Sequence, residues 1–237
     1  MLKLELTEKP TTKPRLIEGF PGFGFVSTIA TEFLIKHLNA KLIGRITSEK
    51  IQPIAAIHKG QIIHPIGIYY DKKNNLMIIQ AVTPIDGLEW EIADTVEELC
   101  KQVKVKEIIG LEGVSSQVQD KDPKVFCFSK EKFCLDKLAK LKIMPLEEGI
   151  IIGVTGALLM KSSNPLSCFF VEAHSQMPDN KAAAKLVECV DKYLKLQIDT
   201  RPLLSKAKEM EVKLKDLMGK VAETNEAHQD RKLSYMG

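Results

Sequence analysis

Apolar and polar positions along this chain change period repeatedly, and the changes mark out its elements. PRLIEGF is a short, nearly continuous apolar run of the kind a doubly covered strand requires. FVSTIATEFLIKHL follows with a helical period that puts Phe25, Ile29, Phe33 and Leu38 on one face. KLIGRI, PIAAIH, HPIGIYY and LMIIQAVT are four short β-branched runs separated by turn-like polar residues, which predicts a meander or mixed sheet. LEWEIADTVEELCKQV reads as an amphipathic helix with Trp90, Ala93, Val96 (or Glu97) and Cys100 in register. KEIIGLEG reads as a fully apolar strand ending in glycine. Beyond the polar stretch SSQVQDKDPK come VFCFS, a helical EKFCLDKLAKL, GIIIGVTGALL and a buried strand SCFFVEAH. DNKAAAKLVECVDKYLKL is a helix whose N-cap is Asp179 or Asn180 and whose first-turn alanines permit close packing on a sheet.

Strands interleaved with helices predict an α/β fold, a three-layer α/β/α sandwich, over residues 1–200. At Arg201-Pro202 the pattern changes. Leu203, Ala207, Met210, Leu214, Leu217 and Val221 recur at spacings of 4, 3, 4, 3 and 4 through residues 201–221. That is a heptad seam suited to self-association, or the apolar face of a helix folded back on the body. Residues 222–237, AETNEAHQDRKLSYMG, are polar and aperiodic until Leu233, Tyr235 and Met236, and are expected to form a flexible tail.

Composition changes this picture little. The 34 basic and 31 acidic side chains leave a formal charge of +3, too little to predict nucleic acid or an anionic membrane as partner. No run approaches the roughly 18 apolar residues of a membrane span, and the N-terminal stretch lacks a signal-peptide apolar core, so a cytoplasmic location is expected. The cysteines, Cys100, Cys127, Cys134, Cys168 and Cys189, form no C-x-x-C pair and lie in apolar segments, as reduced structural thiols do. No clustered ligand set predicts a metal, and no cofactor is expected.

The chemistry most worth testing is GFPGFGF, a glycine turn between strand and helix. Four residues separate Gly19 from Gly24, the glycine spacing of a phosphate loop, but Phe25 and Val26 stand where that loop needs lysine and a hydroxyl. Gly19, Gly22 and Gly24 also run in the reverse order of the dinucleotide fingerprint. Gly19, Phe20, Gly22, Phe23 and Gly24 are therefore expected to form a structural or contact loop rather than a nucleotide seat. His58 and His64 flank GQII and could face each other across a hairpin, although strand-end histidines are commonly structural. Glu172 and His174 could share a face at a strand end, and Ser115-Ser116 ends another. Glu147-Glu148 reads as a solvated turn. These residues compose no complete catalytic constellation.

Taken together, GFPGFGFVSTIATEFLI, HPIGIYY, GVTGALL and VEAHSQMPDNKAAAKLVECVDKYLKLQIDTRPLLSKAKEME resemble the archaeal branch of the proteasome assembly chaperone family, the relatives of proteasome assembly chaperone two. The resemblance spans roughly residues 14 to 215. It implies a phosphorylase-like α/β/α fold with a mixed, largely parallel sheet. It also implies homo-oligomers, pairing with a paralogue in some cases, and an ATP-independent, non-enzymatic role in bringing proteasome α subunits together. Some members end in hydrophobic-Tyr-any residue, a tail that inserts between α subunits. Here Leu233, Ser234, Tyr235, Met236 and Gly237 put the tyrosine one residue out of that register. The alternative is an enzyme acting on a nucleoside or phosphorylated small molecule, at strand ends near Gly19–Gly24 and Glu172/His174.

Overall fold

The computed structural model describes residues 2–10, 13–51, 56–58, 61–115, 122–173 and 177–205. Its centre is β2 (Arg15–Gly19), the PRLIEGF run. Strands β7 (Leu76–Ala81) and β8 (Glu107–Ser115) run parallel to it on either side, and β11 (Leu166–Ala173) lies parallel beyond β8. The flanks are antiparallel. Next to β7 come β6 (Ile66–Asp71), β3 (Lys41–Thr47) and β1 (Lys3–Leu6). Next to β11 is antiparallel β9 (Val125–Ser129), and the two-residue β10 (Met144–Pro145) closes that edge. The result is one mixed nine-stranded sheet with a parallel centre.

Alternation along these strands sorts side chains into two cores. Leu16, Met77, Ile79, Ile108, Cys168 and Phe170 point to one face, under α2 (Glu89–Val103) and α4 (Gly153–Lys161). Ile17, Ile78, Ile109, Leu111, Phe169 and Val171 point to the other, under α1 (Val26–His37) and α5 (Asn180–Leu194). Each fully buried aliphatic or aromatic side chain contributes about 1.5–3 kcal/mol, so both helical layers are held by the sheet they cover. The third pair of helices is smaller: α3 (Lys132–Lys140) follows β9, and α6 (Arg201–Ser205) packs on α5.

Local expectations fare unevenly. Asp179 is the cap of α5, its carboxylate accepting from the Ala182 amide at 2.9 Å, and Ala182, Ala183 and Ala184 are buried against the sheet. On α2, Ala93, Val96 and Cys100 are buried as the period requires, but Trp90 is 57% exposed. Trp90 sits in the first turn, and Ile92 and Leu99 join Ala93, Val96 and Cys100 in the buried stripe. Of PIAAIH, Ala56–His58 form β4, which among the described residues pairs with β5 (Gln61–Ile63) in a separate two-stranded sheet and not with the nine-stranded one. Their register sets His58 opposite Gln61, so His64 lies past the strand end rather than across from His58. The run KEIIGLEG is buried but not fully apolar, since β8 carries Glu107 and Glu112. All five cysteines are buried and free.

Leu203 is fully buried in the second core, within the chain's own fold. Ala207, Met210, Leu214, Leu217 and Val221, and the tail residues Leu233, Tyr235, Met236 and Gly237, lie outside the described residues. No helix among the described residues is long and apolar enough to cross a membrane.

Candidate functional site

The glycine turn joins β2 to α1 through a single 3-10 turn, Phe23–Phe25. Gly24 has φ 65° and Phe25 has φ 48°, so two successive residues occupy the left-handed region. Glycine accepts that conformation freely, whereas a phenylalanine there is held by its surroundings at a cost of about 1–2 kcal/mol. Those surroundings are dense. The Phe25 amide donates to the Gly22 carbonyl, the Ser27 hydroxyl donates to the Phe20 carbonyl, and the Asp179 amide donates to the Gly24 carbonyl. Phe20 is buried in the first core, while Phe23 and Phe25 are half-buried against the second. Gly19, the last residue of β2, lies buried against Thr31 of α1.

What occupies the place of a phosphate is part of the protein. Glu112, near the carboxyl end of β8, receives the backbone amides of Phe23 and Gly113 on its carboxylate. Its Oε1 lies so close to Gly22 that a Cβ there would stand 2.0 Å away. The turn thus resembles an anion-binding loop that an internal carboxylate has already filled. This is the physical reason the spacing looks like a phosphate seat while the chemistry of one is missing.

Behind Glu112 is a second acid. Glu18 on β2 is fully buried, on the same face of the sheet, and Thr155 of α4 joins the two. The Thr155 hydroxyl lies 2.9 Å from Glu18 Oε1 and 3.1 Å from Glu112 Oε2. One hydroxyl has one proton to donate, so it satisfies both contacts only when one carboxyl is itself protonated and donates back. Glu18 is that carboxyl. Burial, and then the neighbouring Glu112, push it up to about 8 despite the Thr155 contact. Burial also raises Glu112, to about 7, against the opposing contribution of its three donors. The Glu18 Oε2 atom has no hydrogen-bond partner among the described residues, which suits the carbonyl oxygen of a neutral acid better than a carboxylate. Cys168 beside them is held protonated, first by burial and then by both acids.

In front of this triad a cleft of about 1210 Å³ opens at the carboxyl ends of the central strands, where α/β folds commonly place their sites. The glycine turn forms one wall and residues 144–154 the other. Ser115 and Glu172 line it from the ends of β8 and β11. Glu172 accepts the Lys124 amide at 3.1 Å. Glu147 and Glu148 are exposed on the rim, as a solvated turn predicts. Ser116 and His174 lie outside the described residues, so neither proposed strand-end pair is assembled among those that are described. No group of His, Cys, Asp or Glu among the described residues could hold a metal ion.

The structure therefore brings Phe20, Gly22, Phe23 and Gly24 together with residues that the sequence reading passed over: Glu18, Glu112 and Thr155. A signal for the acids was present. Glu18-Gly19 and Glu112-Gly113 each interrupt an apolar strand with one charge before a glycine, where a solvated residue has no place.

Comparison with known proteins supplies what geometry alone does not. The model of the PAC2 family matches residues 16–218. The crystal structure of Pyrococcus furiosus PbaA, described as an archaeal homolog of proteasome-assembly chaperone, superposes with a TM-score of 0.85 at 29% identity, covering 95% of this chain and all of that one. Pyrococcus furiosus PbaB, described as an archaeal proteasome activator, matches with a TM-score of 0.75 at 26% identity, covering 91% of this chain and 98% of that one. Protein MJ0106 of Methanocaldococcus jannaschii is 29% identical over 210 residues, 86% of this chain and 85% of its own length.

Proposed function

The chain belongs to the PAC2 family, and on that footing we propose that it is a proteasome assembly chaperone that acts by binding rather than by catalysis. One observation carries the reading: the near full-length match, in both sequence and fold, to PbaA. The second match, to a proteasome activator from the same organism, points to the same machinery. The filled turn also supports an ATP-independent role. A nucleotide phosphate would have to displace Glu112 from the Phe23 and Gly113 amides and approach a buried acid pair.

In the finer form of this proposal the clients are proteasome α subunits in the cytoplasm. Residues 1–200 form the body, residues 201–221 assist assembly with further copies or a paralogue, and residues 222–237 carry the docking peptide. Leu233, Tyr235, Met236 and Gly237 present an apolar residue, a phenol and a second apolar residue at the end of a polar tether. A single such peptide binds weakly, but several on one oligomer raise the effective concentration, by about 10²-fold or more. Deleting residues 222–237 is expected to weaken α-subunit pull-down at an unchanged melting temperature; undiminished pull-down would remove the tail from the mechanism.

The cleft at the strand ends favours one other reading, an enzyme acting on a nucleoside or phosphorylated small molecule. Thermal-shift screening with ATP, nucleosides and phosphate separates the two, because a ligand of the folded state raises the melting temperature. The chaperone reading expects no shift.

A further inference from the structure

The cleft is unlike the rest of the molecule in charge. Six acidic side chains line it, Asp86, Glu89, Glu112, Glu147, Glu148 and Glu172, and no lysine, arginine or histidine does so among the described residues. The whole chain, by contrast, carries a net +3. Glu112 is committed to the glycine turn, and Glu172 and Glu89 accept the amides of Lys124 and Gly87. Asp86, Glu147 and Glu148 stand exposed on the rim, and no salt bridge among the described residues reaches them. Low-dielectric walls around one sign of charge focus the field on whatever enters.

The same rim is apolar. Ile150 is 91% exposed and Ile152 78%, and Met144 of the edge strand is 48% exposed. Two isoleucines facing water beside two glutamates are a poor arrangement for stability and a good one for contact, since covering them takes apolar surface out of water. A free polyamine would satisfy the acids and leave the isoleucines wet, and a nucleic acid would be repelled.

We propose that this cleft is a docking groove for a peptide segment of a partner protein in which lysine or arginine adjoins apolar residues. Its cations sit against Glu147, Glu148 and Asp86, and its apolar side chains cover Ile150 and Ile152. The chain's own residues 206–237 are a poor occupant, because seven basic and six acidic side chains nearly cancel there. The groove is formed by the body and not by the tail, so this proposal goes beyond the tail reading and stands or falls without it.

The test uses the full chain and a fluorescein-labelled peptide of repeated Lys-Ser-Leu, with repeated Glu-Ser-Leu as its counterpart, read by anisotropy. The lysine peptide is expected to bind, and to bind less tightly as salt shortens the Debye length. Glu147→Lys with Glu148→Lys should weaken it roughly tenfold, since each lost rim contact gives way to repulsion. Ile150→Ser with Ile152→Ser should weaken it as well, while Glu98→Lys, on α2 outside the cleft, should leave it unchanged. Equal binding of the glutamate peptide, indifference to the Glu147/Glu148 reversal, or an equal effect of Glu98→Lys would each overturn the proposal. So would a carbodiimide cross-link, formed without peptide, from this chain's own lysines beyond Ser205 to Glu147 or Glu148. Pull-down of α subunits by the tail is a separate measurement, so failure of either reading is visible on its own.

Discussion

Replacing Glu18 by glutamine should make the protein more stable at alkaline pH and change it little in mild acid. The folded chain holds the Glu18 carboxyl near 8 against an ordinary value of 4.5. Between those values the folded state keeps a proton that the unfolded state has released. Stability then falls as pH rises, by up to about 1.4 kcal/mol per unit, and the whole cost is in force above the folded value. Glu112, raised to about 7 by burial, acts in the same direction over the lower part of that window. Glutamine has no proton to lose, and its amide can donate to the Thr155 hydroxyl as the neutral acid does. Denaturant unfolding at several values from about pH 5 to 9 should show near-equal stability at the acid end. At the alkaline end Glu18→Gln should lead by roughly 2–4 kcal/mol, with a flatter pH slope throughout. For a chain of this size each kcal/mol moves the melting temperature by about 2–4 °C, so a thermal scan resolves the difference. Parallel pH slopes for the two proteins, or a less stable variant at pH 8, would refute the assignment of the shared proton to Glu18.

Gly22→Ala places a methyl where Glu112 Oε1 lies 2.0 Å away, so the turn or the carboxylate must move. A loss of about 1–3 kcal/mol in chemical denaturation is expected, and should shrink when Glu112→Ala is added, because the two share one space. Tyr193→Phe removes the phenol that donates to Glu107 at 2.5 Å while Ser167 remains at 2.8 Å. Loss of about 1–3 kcal/mol is expected by the same measurement, since a buried carboxylate would be left short of a donor.

How much of this was legible in the chain depended on the range of the interaction. Burial on both faces of PRLIEGF and SCFFVEAH needs only local periodicity, and both became central strands. The Asp179 cap is likewise a contact over three residues. Trp90 was misplaced because a period alone does not say which turn of a helix the rest of the fold covers. The acid triad was beyond any local pattern, as Thr155 lies 137 positions from Glu18 and 43 from Glu112. Only the strand order β7-β2-β8-β11 brings them together, and a single sequence does not spell out that order. The glycine turn shows the same limit. Its spacing announced an anion site, and the anion proved to be a side chain from another strand.

Glu107, at the far end of β8, has a bearing on how the chain is made. Its carboxylate gathers the Arg15 guanidinium from β2, the Cys134 thiol from α3, the Ser167 hydroxyl from β11 and the Tyr193 phenol from α5. Those partners are spread from residue 15 to residue 193, so they emerge from the ribosome at widely separated moments. Until Tyr193 arrives, a chain that has closed its sheet carries a buried acid with its circle of donors incomplete. Completion of α5 therefore supplies the last of these donors, and a chain ended before Tyr193 would hold that carboxylate one donor short inside its sheet.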